Sequence, residues 1–191
     1  MNNEDRRNIK VKKKTIYITQ TAVMLALLIV VQFVTKPFTQ YVTGSLVNLI
    51  LLVSVFMIGI YGGLAVALIS PFLAFIVGAG PGFIQIVPVI AIGNAIFILV
   101  AGIVRKPMLM PGAKKGFPVV LGLVVASIVK TLFLWIGVVL IALPLIPGLK
   151  QAQVNMISTM FTWPQLITAL IGSALAIIVI PLLKQAFKHN D

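Results

Sequence analysis

The sequence predicts an all-α integral membrane protein with six transmembrane helices and both termini in the cytoplasm. Three observations predict it. The chain of 191 residues is 60% hydrophobic and 9% charged, whereas a soluble domain carries roughly a quarter charged residues, and its mean hydropathy is +1.15. Apolar runs close to a bilayer span in length recur six times. The basic residues collect on one side of those runs.

Taken in order, residues 1–15 form a basic segment with Arg6, Arg7, Lys10, Lys12, Lys13 and Lys14. The first span covers 16–34. It is long, and the loop behind it, Lys36-Pro37-Phe38-Thr39, has no small-residue cleavage pattern, so a retained helix is expected rather than a cleaved signal peptide. Residues 44–77 greatly exceed a bilayer, and three glycines cluster at their midpoint in Gly59-Ile60-Tyr61-Gly62-Gly63. A tight turn there splits the run into spans at 44–60 and 61–77. The fourth span covers 83–104, the fifth 116–143 and the sixth 158–183. One membrane domain over 16–186 results, followed by a short cytoplasmic tail at 187–191. The runs are continuously apolar rather than alternating, which argues against a β-barrel.

Fifteen Lys and Arg against three Asp and Glu give a net charge of +12. A nucleic-acid partner is excluded, because no soluble fold remains to carry a basic face. Sorted by span, twelve bases lie inside, Lys36 and Lys150 outside, and Lys130 within the fifth span. The basic ends are topology determinants that also meet anionic lipid head groups of the bilayer.

Catalysis finds no support. The acids are Glu4, Asp5 and Asp191, all in the tails; cysteine is absent, and the only histidine is His189, also in the tail. Paired carboxylates, an acidic proton relay, a nucleophile with its base and a metal cluster are therefore excluded from the spans. The chain is not expected to be an enzyme, and no catalytic residue, metal or cofactor is expected.

Polar side chains inside spans are costly, so their depth is informative. Counted at 1.5 Å per residue, Asn48 and Gln85 lie near the outer end, and Asn94 lies close to the midplane. Trp163 and Gln165 lie one to two turns into the sixth span, and Gln40, Tyr41, Thr43, Asn155 and Thr159 sit in outer loops. Lys130 stands 13 residues after Phe117, roughly 20 Å from the inner boundary. Polar groups from different helices thus share one depth, which points to a pocket open to the outside. Lys130 has two readings, snorkelling to the outer interface or facing a ligand's acceptor, with Ser127 one turn below on the same face. Asn94 equally suits a ligand contact or interhelical glue. For Asn48 the ligand contact is favoured. Trp163 and Tyr41 also fit an ordinary aromatic belt. The loop Gly78-Ala79-Gly80-Pro81-Gly82 lacks the Lys-Ser/Thr of a phosphate loop. Pro71 and Pro88 are expected to kink the third and fourth spans, and the loop at 144–154 is long enough to act as a lid.

The first span contains Ala22-Val23-Met24-Leu25-Ala26, and small residues four apart allow a second helix to approach closely. With six spans, both ends inside and this motif in place, the chain resembles the substrate-binding S component of an energy-coupling factor (ECF) vitamin transporter. The stretch from Gln40 through Thr43 to Asn48, Ser70-Pro71, and Val87-Pro88 through Gly93-Asn94 look like one subgroup, that assigned to pyridoxine or hydroxymethylpyrimidine. The resemblance covers nearly the whole chain. It implies capture of a vitamin from outside, in a pocket made by the first outer loop and the outer ends of helices four to six. Lys130, Asn94, Asn48, Gln40, Tyr41, Thr43, Gln85 and Trp163 are the expected substrate-binding residues. The resemblance further implies that Ala22 and Ala26 dock on a membrane coupling subunit driven by two cytosolic ATPases, in a bacterial cytoplasmic membrane.

The choice of vitamin is narrower on chemical grounds. A cationic ligand lacks a counter-charge, while Lys130 favours an anionic or acceptor group. Pantothenate, with its carboxylate, suits Lys130, but the resemblance around Asn48 implies pyridoxine or hydroxymethylpyrimidine, and a pyridoxine phenolate can also accept from Lys130. These two heterocycles are expected first and pantothenate second, with a cobalamin-type precursor still open. A self-powered secondary carrier normally uses intramembrane acids, which are absent here.

Overall fold

A computed structural model describes residues 3–109 and 116–188. Lys114, Lys115, His189 and Asp191 lie outside the described residues. The described chain is all-helical. In order it contains α1 (Asn3–Thr35), α2 (Gln40–Met57), α3 (Ile60–Ile76), a 3-10 turn (Ile84–Ile86) leading into α4 (Val87–Ile103), and the short α5 (Arg105–Leu109). There follow α6 (Phe117–Leu134), its continuation as a π-helix (Trp135–Ala142) and a 3-10 turn (Leu143–Leu145), α7 (Gln151–Met160) and α8 (Trp163–Lys188). Five segments are long and apolar enough to cross a bilayer, and α3 is a shorter apolar helix. The multi-pass all-α class expected from the sequence is the observed one.

Four boundaries differ from expectation, each for a local reason. The basic segment at 1–15 is continuous with the first span, since α1 runs unbroken from Asn3. The second span starts earlier, at Gln40, with Thr39 as its extended N-terminal neighbour. Pro88 does not kink a helix; it occupies the first turn of α4, where a missing N–H costs nothing. Residues 158–160 belong to α7, a separate helix, and not to the last span. Its start is fixed by the Lys150 N–H donating to Gln153 Oε1 at 3.0 Å. Its end falls at Phe161 and Thr162, because Pro164 has no N–H to donate to the Met160 carbonyl and its ring clashes there, so the helix cannot run on. Within the loop expected as a lid, only 144–150 is non-α.

The turn between α2 and α3 forms as expected. Gly59 takes φ +113, a left-handed conformation that side chains resist. A Cβ on Gly63 would stand 2.9 Å from Val55 Cα, so the two helices touch backbone to backbone. α2 is the hub of the bundle, buried from Ile50 to Phe56 between α8, α3 and α1. The inner half is a sealed apolar core: Leu28, Leu51, Leu52, Val55 and Phe56 meet Val66, Phe97, Leu123, Ala176 and Ile180. A second, smaller cluster of Ile86, Leu134, Val138, Ile157 and Phe161 lies at the outer end, beneath α7. At the inner end the Arg105 Nε–H donates to the Val55 carbonyl at 3.0 Å and the Phe56 carbonyl at 3.2 Å. A cation thereby satisfies the last turn of α2, whose carbonyls carry the negative end of the helix dipole.

Candidate functional site

Between the inner core and the outer cluster the helices part around a cavity of about 480 Å³ that opens at the outer end. The volume lies in the range of small-molecule sites. The polar residues at its floor come from three helices: Asn48 on α2, Asn94 on α4 and Lys130 on α6. All three are buried, Lys130 to 3% exposure. Snorkelling is therefore not what Lys130 does: its side chain turns into the bundle. The ammonium donates to Asn48 Oδ1 at 2.5 Å and stands 5.0 Å from the centroid of the Phe97 ring. A ring face and one amide oxygen offset part of the desolvation of the charge, the ring by about 1–2 kcal/mol. Neither carries a counter-charge.

The two asparagines differ. Asn48 does serve as glue, its Nδ2–H donating to Thr168 Oγ1 of α8 at 3.5 Å, while its oxygen receives Lys130. The Asn94 side chain makes no hydrogen bond to another helix among the described residues, and it lines the cavity. Ser127, one turn below Lys130, is turned away toward Ser173 at 3.4 Å and the Leu123 carbonyl at 2.8 Å.

The walls and roof come from the outer loops and α7. Gln40 and Thr43 line the cavity, but the Thr43 hydroxyl and one of the two Gln40 amide N–H groups are already used. Gln40 Nε2–H reaches the Met160 carbonyl at 2.8 Å, and Thr43 Oγ1–H reaches the Thr35 carbonyl at 3.0 Å. Gln165 also donates to the Met160 carbonyl, at 3.3 Å, so the end of α7 is held from both α2 and α8. Ser70 and Pro71 of α3 and the loop from Ala79 to Phe83 close the opposite wall.

Tyr41, Gln85 and Trp163 do not line the cavity. Each has the right depth and the wrong rotation. Tyr41 follows Gln40 by about 100° around α2 and is 45% exposed. Gln85 is exposed because its neighbour Ile86 takes the inward position in the 3-10 turn. Trp163 is 74% exposed and borders a separate apolar groove with Trp135 on the flank of α6 and α8.

Several lining residues escaped the sequence reading. Met156, Ile157, Met160 and Phe161 reach the cavity from α7. The signal was the polar row Gln151, Asn155 and Thr159 at four-residue spacing, joined in the structure by Gln151 Nε2–H to Asn155 Oδ1 at 2.9 Å. Lys36, counted only as an outer charge, lies at the mouth beside Gly78, its Nζ 3.9 Å from where a Cβ would stand. The cavity therefore carries a cation at its mouth and another at its floor, and no acidic residue lines it among the described residues.

Ala22 and Ala26 do not line this cavity. Both are exposed on α1, whose apolar stretch is largely unburied. No group of three or more His, Cys, Asp or Glu comes together among the described residues.

Residues 17–184 match the family described as ECF transporter, substrate-specific component. No curated protein and no solved structure matches the chain.

Proposed function

The chain belongs to the family of ECF transporter substrate-specific components, and from that premise we propose that it captures pyridoxine or hydroxymethylpyrimidine at the outer face of a bacterial cytoplasmic membrane. Members of this family are transporter subunits rather than enzymes. Membership implies partnership with a membrane coupling subunit and ATPase modules, in keeping with a chain that has no Walker motif of its own.

The observation that carries the substrate reading is Lys130. It is a buried cation at the floor of an outward-opening cavity, paired with one amide oxygen and no acid. A buried ammonium has three donors and no acceptor, so the remaining N–H groups call for an acceptor from the ligand. The phenolate of pyridoxine meets that need, and Asn94 is positioned to pair with a ring nitrogen or hydroxyl. The exposed Ala22 and Ala26 strip supports docking of the coupling subunit on α1, with energy from two ATPases.

Pantothenate is a second reading, favoured by one observation: the cations at both mouth and floor suit a carboxylate. Calorimetric titration of the purified protein with pyridoxine, hydroxymethylpyrimidine and pantothenate separates the two. Saturable binding of the heterocycles is expected. Binding of pantothenate alone selects the second reading. Failure of all the B vitamins to bind, or uptake by the chain alone in liposomes, overturns both.

A further inference from the structure

A one-way chain of hydrogen bonds leads away from the Lys130 ammonium. Lysine offers only donors, so the Asn48 atom 2.5 Å from it has to be the amide oxygen. That choice sends the Asn48 NH2 to the opposite side, where it donates to Thr168 Oγ1 at 3.5 Å. The Thr168 hydroxyl donates in turn to the Gln165 carbonyl at 3.1 Å. Thr168 is 0% exposed and does not line the cavity. Two glycines allow the contact by bringing α2 and α8 together. A Cβ on Gly44 would stand 2.9 Å from Thr168 Cγ2, and a Cβ on Gly172 would stand 2.6 Å from Asn48 Cβ.

We propose that Thr168 is a positioning residue for the ligand-facing ammonium: it anchors the NH2 end of Asn48, whose oxygen holds Lys130 at the floor and leaves the other N–H donors for the ligand. The proposal rests on reading Lys130 as the ligand contact. Its physical basis is the pairing of a buried amide. With the hydroxyl present, both ends of the Asn48 amide are satisfied in only one orientation. Without it, the NH2 is left unsatisfied against an apolar group, and the Asn48 side chain, anchored only by Lys130, is free to swing with the ammonium away from its place at the floor.

Thr168→Val tests this with the shape kept and the hydroxyl removed, and Thr168→Ser restores the hydroxyl. Two readouts apply: the affinity for pyridoxine by calorimetry, and the rate at which trinitrobenzenesulfonate modifies the Lys130 amine, followed by mass spectrometry. Thr168→Val should weaken pyridoxine binding about tenfold and raise the labelling rate at least threefold, as the amine swings away from the floor with Asn48. Thr168→Ser should bring both to within about twofold of the parent. In a Lys130→Met background, Thr168→Val should cost no further affinity. Unchanged labelling in Thr168→Val, no rescue by serine, or an equal affinity loss in both backgrounds overturns the proposal. If the parent protein does not bind pyridoxine, the substrate reading fails, and the labelling rates still decide the role of Thr168.

Discussion

The floor of the cavity and the outer face of α1 are built from opposite materials. The floor is polar and buried: Asn48, Asn94 and Lys130 are held among helices in a setting where each unpaired donor or acceptor is costly. The α1 face is apolar and exposed: Ala22 and Ala26 sit among Val23, Leu27 and Val30, while Leu28 on the other side of the helix joins the buried core. Hydropathy alone does not separate a face meant for lipid from one meant for a partner, since both are apolar. Side-chain size does, because only small residues let a second helix come close. The pair teaches that the buried polar floor and the exposed small-residue face lie on different helices, the floor on α2, α4 and α6 and the face on α1.

The largest expected effect breaks one region and spares the other. Trp at both Ala22 and Ala26 should reduce uptake at least about 100-fold in proteoliposomes that contain the coupling subunit and ATPases, by blocking close helix approach. Vitamin affinity of the same protein should stay within about twofold. Normal uptake would remove the docking role of α1. The converse substitution is Lys130→Met. It should weaken vitamin binding by about 1.5–3 kcal/mol, the worth of a hydrogen bond to a charged group, or roughly ten- to a hundredfold. Unchanged affinity in the titration would return Lys130 to a structural role. The smallest effect sharpens the cavity itself. Lys36→Gln at the mouth should slow association about threefold at low salt and have almost no effect at high salt, with dissociation unaltered in stopped-flow measurements. A changed dissociation rate would place Lys36 on the bound ligand instead of at the approach.

The sequence made depth legible and rotation illegible. Composition, span length and the positive-inside rule were enough for the bundle, because they depend on counts along one axis. Asn48, Asn94 and Lys130 were found by depth and proved to face one cavity. Tyr41, Gln85 and Trp163 had the same depth, and only packing against neighbours such as Ile86 decided that they turn outward. The meeting of Lys130 on α6 with Asn48 on α2, 82 residues apart, joins two helices that both pack on α8, and the close approach of α2 to α8 rests on Gly44 and Gly172 lying opposite Thr168 and Asn48. α7 was hidden for a different reason: its apolar residues Met156, Ile157 and Met160 run on into those of α8, and the break rests on Thr162 and Pro164 alone. The small-residue pair Ala22 and Ala26 was visible from spacing, but its exposure on α1 was not.

The shortness of α3 has a consequence for the membrane around the protein. Its 17 residues span about 26 Å, against a hydrocarbon thickness of about 30 Å, and it packs beside α1 and α4. Tyr61 is 83% exposed at one end of α3 and Ile76 is 75% exposed at the other. An aromatic ring at that level favours the headgroup zone, so the lipid next to α3 is drawn thinner than the lipid next to α1. Each Å of mismatch costs a fraction of a kcal/mol. Bilayer thickness therefore acts on this protein through one helix: short acyl chains match α3, and long ones match α1.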